Sequence, residues 1–185
     1  MDAPDEDAVL MLAFCAGDAL AFDALFQRWT APLLRYLERM LRDTAAAEEL
    51  VQEVFLRVHG ARERYRAEAR FSTWLYRIAT NLALNELRRP RRREPHASFD
   101  EPGAPALAAA NPVPEAALDA RRLSARVEQE LARLPERQRA ALCLSSVEGL
   151  SYADVAAALE ISEAAVKALV HRARTALIAQ LGDAL

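Results

Sequence analysis

The chain has 185 residues, with 24 Lys and Arg against 27 Asp and Glu, a net charge of −3 and 52% apolar types, mostly Ala, Leu and Val. That composition can bury a core in one domain or two small ones, and with only 5 Gly it predicts an all-α fold of two small helical domains with almost no strand. No apolar run approaches the roughly 20 residues of a membrane span, and the opening MDAPDED lacks the basic start of a secretory signal, so a cytoplasmic protein is expected.

After Gly17, Asp18 is placed to cap a helix whose apolar residues Phe22, Leu25, Phe26, Trp29, Leu33, Tyr36, Leu37 and Met40 recur at steps of three and four. Pro32 falls within that stripe and is expected to kink or divide the helix. Asp43 or Thr44 opens the next helix, which ends at Gly60 and buries Leu50, Val51, Val54, Phe55 and Val58. Its other side carries Glu49, Gln52, Glu53 and Arg57, the last two one turn apart and able to pair. Taken alone, this is an ordinary hydrated face.

Charge is distributed unevenly. Arg28 is the only cation of the first thirty residues, whereas Arg57 to Arg93 holds eleven Arg against Glu63, Glu68 and Glu86. A segment that basic in an acidic chain points either to a polyanion partner or to a solvated surface. Within it, RFSTWLYRIATNLALNELRR predicts a helix from a cap at Ser72 or Thr73 to Arg89, just before Pro90. Leu75, Ile78, Ala79 and Leu82 share one side, and Trp74, Arg77, Asn81, Asn85 and Arg88 another. Upstream, RERYRAEARF adds Tyr65, Arg66 and Phe71 in what reads as a loop. Arg holds phosphates, Asn reads base edges, and a ring stacks on an unpaired base for roughly 1 to 3 kcal/mol, which is equipment for single-stranded nucleic acid. The alternative is half-buried core with arginines snorkelling around Trp74 and Phe71.

Residues 94–115 contain five of the nine prolines, the acids Glu94, Asp100, Glu101 and Glu115, and no Lys or Arg, and are expected to form an extended linker. A helix near 116–134 follows, with Leu123, Val127, Leu131 and Leu134 apolar. Pro135 suits the first turn of the next, which ends at Gly149. Ser151 and Asp154 form a capping-box start that buries Val155, Ala156 and Leu159, and Ser162 caps a last helix after a tight turn, which is the helix-turn-helix plan. Val166, Leu169, Val170, Ala173 and Leu177 face inward there, leaving Glu163, Lys167, His171 and Arg174 outward and Arg172 farther round. Such a face fits a major groove, although helical hairpins with basic faces also occur in proteins that bind no DNA. Cys15 and Cys143 are far apart with no zinc-ligand spacing, so buried reduced thiols are expected rather than a redox pair. No phosphate-cradling loop, metal cluster or nucleophile-base pair is visible, so no enzyme activity, cofactor or metal is expected.

Three stretches, AEELVQEVFLRV at 47–58, ARFSTWLYRIATNLALNELRR at 69–89 and LPERQRAALCLSSVEGLSYADVAAALEISEAAVKALVHRAR at 134–174, together resemble the extracytoplasmic-function group of bacterial sigma factors. The resemblance covers nearly the whole chain. It implies region two over 1–93, the linker over 94–115 and region four over 116–185. It also implies core RNA polymerase, promoter DNA in duplex and single-stranded form, and an anti-sigma factor as partners. Polymerase docking would fall to Glu49, Leu50, Gln52, Glu53 and Phe55. The minus-ten surface would comprise Tyr65, Arg66, Phe71, Ser72, Thr73, Trp74, Arg77, Asn81, Asn85 and Arg88. Ser162, Glu163, Lys167, His171, Arg172 and Arg174 would meet the minus-thirty-five duplex. The chain departs from the family pattern at Ala164, Ala165, Ala168 and Leu169 around the recognition helix, at Glu160 in the turn, and at His59-Gly60, where Trp is usual. Rival readings are a stand-alone helix-turn-helix regulator that binds duplex without polymerase, and a helical protein-interaction adaptor.

Overall fold

The computed structural model describes residues 5–89 and 115–182, and every regular element among them is helical. Helix α1 (Glu6–Ala16) was not expected from the sequence. Asp5 starts it, its Oδ1 accepting the amides of Asp7 and Ala8 at 3.1 and 3.4 Å, and Gly17 ends it in the left-handed region at φ 114°. Asp18 caps α2 (Ala19–Leu41), which runs unbroken through Pro32. The expected division is absent because proline removes only one ladder bond, while Leu33, Tyr36, Leu37 and Met40 beyond it are all fully buried and hold the helix in register. Asp43 caps α3 (Thr44–Gly60).

Helix α4 (Phe71–Arg88) begins one residue before the expected caps, and neither Ser72 nor Thr73 caps it. The donor that matters is met from elsewhere: Asp5 Oδ2 accepts the Phe71 amide at 2.7 Å. One carboxylate therefore serves the orphan amides of two helices. Next to it, Asp7 accepts Trp29 Nε1 at 3.1 Å and pairs with Arg28, fastening α1 to α2. Met11, Leu25, Tyr36, Leu37, Val54, Val58, Phe71 and Leu75 fill the space between α1, α2, α3 and α4. Tyr36 and Thr80 share a buried 2.7 Å hydroxyl bond across it.

The second half comprises α5 (Glu115–Arg133), α6 (Glu136–Leu142), a π-helical turn Cys143–Val147, α7 (Tyr152–Leu159) and α8 (Glu163–Gly182). Ser151 accepts the Asp154 amide at 3.1 Å and Ser162 the Ala165 amide at 3.2 Å, as the capping patterns predict. Glu160 makes the tight turn between α7 and α8 at φ 55°, a left-handed conformation that glycine adopts without strain. Most of the linker, with Glu94, Asp100 and Glu101, lies outside the described residues. Glu115 lies within α5. Two stripe residues are not core: Phe26 is 42% exposed and Leu123 52%.

The two halves are also in direct contact, which no periodicity in the sequence indicates. Helix α7 packs along α4, and Arg139 of α6, itself buried, donates from Nη1 to the carbonyl oxygens of Met40 at 2.7 Å and Arg39 at 3.3 Å. A side chain of the second half thus satisfies the C-terminal carbonyls of α2 in the first.

Asp5→Ala should lower the unfolding free energy by about 1 to 2 kcal/mol, because it strips caps from both α1 and α4. Urea denaturation measures this, and a loss below about 0.5 kcal/mol would show that Asp5 joins nothing.

Candidate nucleic-acid interface

The arc expected on α4 is present. Arg77, Asn81, Asn85 and Arg88 are exposed in sequence along one side, and Trp74 at its head is half-buried. Trp74 packs against Tyr65 at 5.0 Å between ring centroids and Phe71 at 5.7 Å. Its remaining edge, with Arg64, Arg66, Glu68 and Arg77, borders an open cleft of about 470 Å³. A smaller recess of about 120 Å³, which shares Arg66, Glu68, Trp74 and Arg77 with the cleft, has Ala157 of α7 in its wall. Arg57 and Arg89 are engaged by Glu53 and Glu86, whereas Arg64, Arg66, Arg77 and Arg88 form no ion pair with a described residue. Three of these four, Arg64, Arg66 and Arg77, thus collect where the open ring edge is.

Three residues expected on this surface lie inside. Phe71 starts α4 rather than a loop and is fully buried, so its ring supports Trp74 and offers no face to solvent. Tyr65 is 6% exposed, wedged against both rings. Thr73 is buried, its hydroxyl donating to Asp154 at 2.8 Å, and Ser72 is half-buried. The aromatic loop and helix start fold back on themselves because three neighbouring rings gain more by packing together than by facing water. The Tyr65 hydroxyl has no hydrogen-bond partner among the described residues, and burial, with the charges of Asp5 and Cys15 behind it, pushes its pKa up to about 12.

On α3, Glu49 and Gln52 are exposed, Leu50 and Glu53 half-buried, and Glu53 holds Arg57 at 2.8 Å. Phe55, expected on the docking side, is instead 4% exposed, its ring 4.6 Å from Phe26 and 6.2 Å from Phe22. Leu56 was missed. It stands 67% exposed, and at 100 degrees per residue it falls between Gln52 and Glu53. A lone leucine in the middle of a charged face was the signal available in the sequence.

On α8, Ser162, Glu163, Lys167, His171, Arg172 and Arg174 are all exposed, over a buried row of Val166, Val170 and Ala173. Arg174 reaches back to Ser146 Oγ at 3.2 Å. Among the described residues no group of His, Cys, Asp and Glu could hold a metal ion. Both thiols are free; Cys143 is buried, which pushes its pKa up to about 11 and leaves it a poor nucleophile. Cys15 is half-buried.

Two family models match, Sigma-70 region 2 over residues 25–93 and Sigma-70 region 4 over residues 124–177. The RNA polymerase sigma-H factor of Pseudomonas aeruginosa is 33% identical over 178 residues, covering 94% of this chain and 92% of that protein. The ECF RNA polymerase sigma factor SigM of Mycobacterium tuberculosis is 36% identical over 176 residues, covering 95% and 85%. Among solved structures, CnrH in complex with the cytosolic domain of CnrY superposes with a TM-score of 0.73 at 24% identity, covering 98% of this chain and all of that one. RpoE of Bartonella quintana, in complex with the anti-sigma factor NepR, gives 0.65 at 22% identity, covering 89% and 98%.

Tyr65→Phe should leave the fold as stable or more stable, since it removes a buried hydroxyl that bonds to no described residue. A folded pKa above the free value of about 10 means that the unfolded state loses the Tyr65 proton first, so stability that is complete below that pH falls as pH rises from about 10 to 12. The variant should therefore lose less stability over that alkaline range in denaturation curves. Marked destabilisation at neutral pH would mean that the hydroxyl has a partner.

Proposed function

The chain belongs to the extracytoplasmic-function RNA polymerase sigma factors, and from that premise we propose how its surfaces share promoter recognition and transcription initiation. Glu49, Gln52, Glu53 and Leu56 of α3 dock on core polymerase, with Leu50 at the edge of that face and Phe55 stiffening it from beneath. The Trp74 cleft and the α4 arc hold a base flipped out of the minus-ten element. Arg66, Arg77 and Arg88 take phosphates, Asn81 and Asn85 take base edges, and Tyr65 and Phe71 fix the tryptophan from behind. Helix α8 meets the minus-thirty-five duplex through Lys167, His171 and Arg172. Ala164, Ala165 and Ala168 supply no hydrogen bonds there, so phosphate contact outweighs base reading on that helix.

The supporting observation is the coincidence, around one half-open indole, of arginines that form no ion pair with a described residue, a cleft and a run of exposed amides. Magnitudes also fit a sigma factor rather than a self-sufficient melting protein. Duplex stacking is worth about 1.4 kcal/mol per step and opening spans several steps, whereas one base stacked on Trp74 returns roughly 1 to 3 kcal/mol. Trp74 can trap an open strand but cannot open it unaided, so the remainder comes from polymerase. Sigma factors do this by binding rather than catalysis. The protein acts in the cytoplasm with polymerase, and among the described residues no helix is long and apolar enough to cross a membrane. Like RpoE with NepR, it is held in check by an anti-sigma protein.

Two variants separate the proposed roles. Trp74→Ala should cut open-complex formation at least tenfold while core polymerase still binds, and Leu56→Glu should weaken core binding without lowering stability, because Leu56 is 67% exposed. Gel-shift on promoter DNA and sizing with core polymerase read the two. If Trp74→Ala lost core binding, the division of labour would fail. Lys167→Ala should reduce the salt slope of duplex binding by about one unit, and an unchanged slope would remove Lys167 from the phosphate contacts.

A further inference from the structure

Resting on the proposed base-reading role of the Trp74 cleft, we propose that Arg62 is a positioning residue of that site. It anchors the connection between α3 and α4 on α1, and so holds Tyr65 and Trp74 in place without touching DNA itself. Arg62, Arg64 and Arg66 alternate along that connection and are all exposed, so they look alike in the sequence. The structure separates them. Arg64 and Arg66 line the cleft beside Trp74, and Arg62 does not. The Arg62 guanidinium lies instead over the ring of Phe14 in α1, 5.2 Å from its centroid. It also crosses the end of that helix, where a Cβ added at Gly17 would stand 3.5 Å from Arg62 Nη2.

Two attractions hold the guanidinium there. The face of an aromatic ring is electron-rich and draws a cation. Helix α1 has no basic residue in its last turn, so Arg62 also supplies the positive charge that its C-terminal carbonyls favour. The ring beneath is itself fixed: Phe14 is buried, 4.9 Å from Phe22 of α2 and 5.3 Å from His59 of α3 between centroids. Arg62 therefore pins the connection to the junction of three helices. From there the constraint passes through a tight turn. The Arg62 amide donates to the His59 carbonyl at 3.2 Å, and the amides of Arg64 and Tyr65 both donate to the Ala61 carbonyl at 2.9 Å. Tyr65 then places its ring 5.0 Å from Trp74. Its hydroxyl has no partner among the described residues, so no hydrogen bond to one of them fixes that ring from its far end. Packing and backbone hold Tyr65, and Arg62 anchors the backbone.

The test uses the full chain, free and in the polymerase holoenzyme; Arg62 is exposed, so its variants should stay folded, which circular dichroism checks. In the free chain, acrylamide quenching of Trp74 fluorescence is read as the difference between each protein and its Trp74→Phe counterpart. Arg62→Ala should raise that quenching, and Arg62→Lys, which keeps a cation over Phe14, should restore it. In holoenzyme on promoter DNA, Arg62→Ala should lower open-complex formation about fivefold, the scale of one exposed cation–π contact. Its salt slope should be unchanged, whereas Arg66→Ala should lower the slope by about one unit. In a Phe14→Leu background, Arg62→Ala should have no further effect. A lowered salt slope in Arg62→Ala would make Arg62 a phosphate contact and overturn the proposal. Unchanged quenching, no rescue by lysine, or an undiminished Arg62→Ala effect in the Phe14→Leu background would overturn it as well. The quenching contains no DNA, so its failure leaves the base-reading proposal standing; that proposal fails separately if Trp74→Ala leaves open-complex formation unchanged.

Discussion

Helix α4 must satisfy three environments around one circumference, and the rest of the structure follows from how it does so. Phe71, Leu75, Ala79 and Leu82 face the core built by α1, α2 and α3, while Thr73 and Tyr76 form ties to the second half. Only the arc from Trp74 through Arg77, Asn81, Asn85 and Arg88 is left for a ligand. A helix buried on most of its circumference has its orientation fixed by packing, so the exposed arc is presented rigidly. Rigidity suits a surface that holds a base already paid for in unstacking energy, since little further ordering is lost on binding.

Arg139 anchors the second half on the first. Its guanidinium is buried against backbone carbonyls, and burial lowers its pKa, yet a guanidinium stays charged at any physiological pH. Its Nε has no partner among the described residues, so the desolvation of the group is incompletely offset. Tyr76 lies in the same polar seam, its phenol pushed far above the usual range by burial and by the Glu148 carboxylate it bonds. Asp154 is different: burial pushes its carboxyl up, but hydrogen bonds from Ser151 and Thr73 and the charge of Arg70 outweigh this and hold it below the usual range. The seam combines well-made bonds with unmet polar atoms, unlike the apolar core of the first half.

Most of the fold was legible in the sequence, because amphipathic stripes and caps are local. Asp18, Asp43, Ser151 and Ser162 were read as caps and are caps. The apolar rows of α3, α4 and α8 are likewise buried nearly as their spacing requires. Errors arose where a distant residue intervened. The start of α4 was misplaced because its amide is met by Asp5, 66 positions away, and no local pattern reveals that. Phe71 and Tyr65 were placed on the surface because a basic, aromatic stretch looks the same whether its rings stack on bases or on one another. Leu56 was overlooked because the charges around it dominate the pattern. Burial of Tyr76 and Arg139 depends on the meeting of the two halves, which a period of 3.6 residues does not encode.

The most direct test of the base-gripping arc is a photo-crosslinking side chain placed at position 81, within the polymerase holoenzyme on promoter DNA. Adducts should form with the unpaired minus-ten strand in open complexes and disappear when the same DNA is kept fully paired. Equal adducts with duplex, or none with the open strand, would contradict the claim that α4 holds single-stranded DNA.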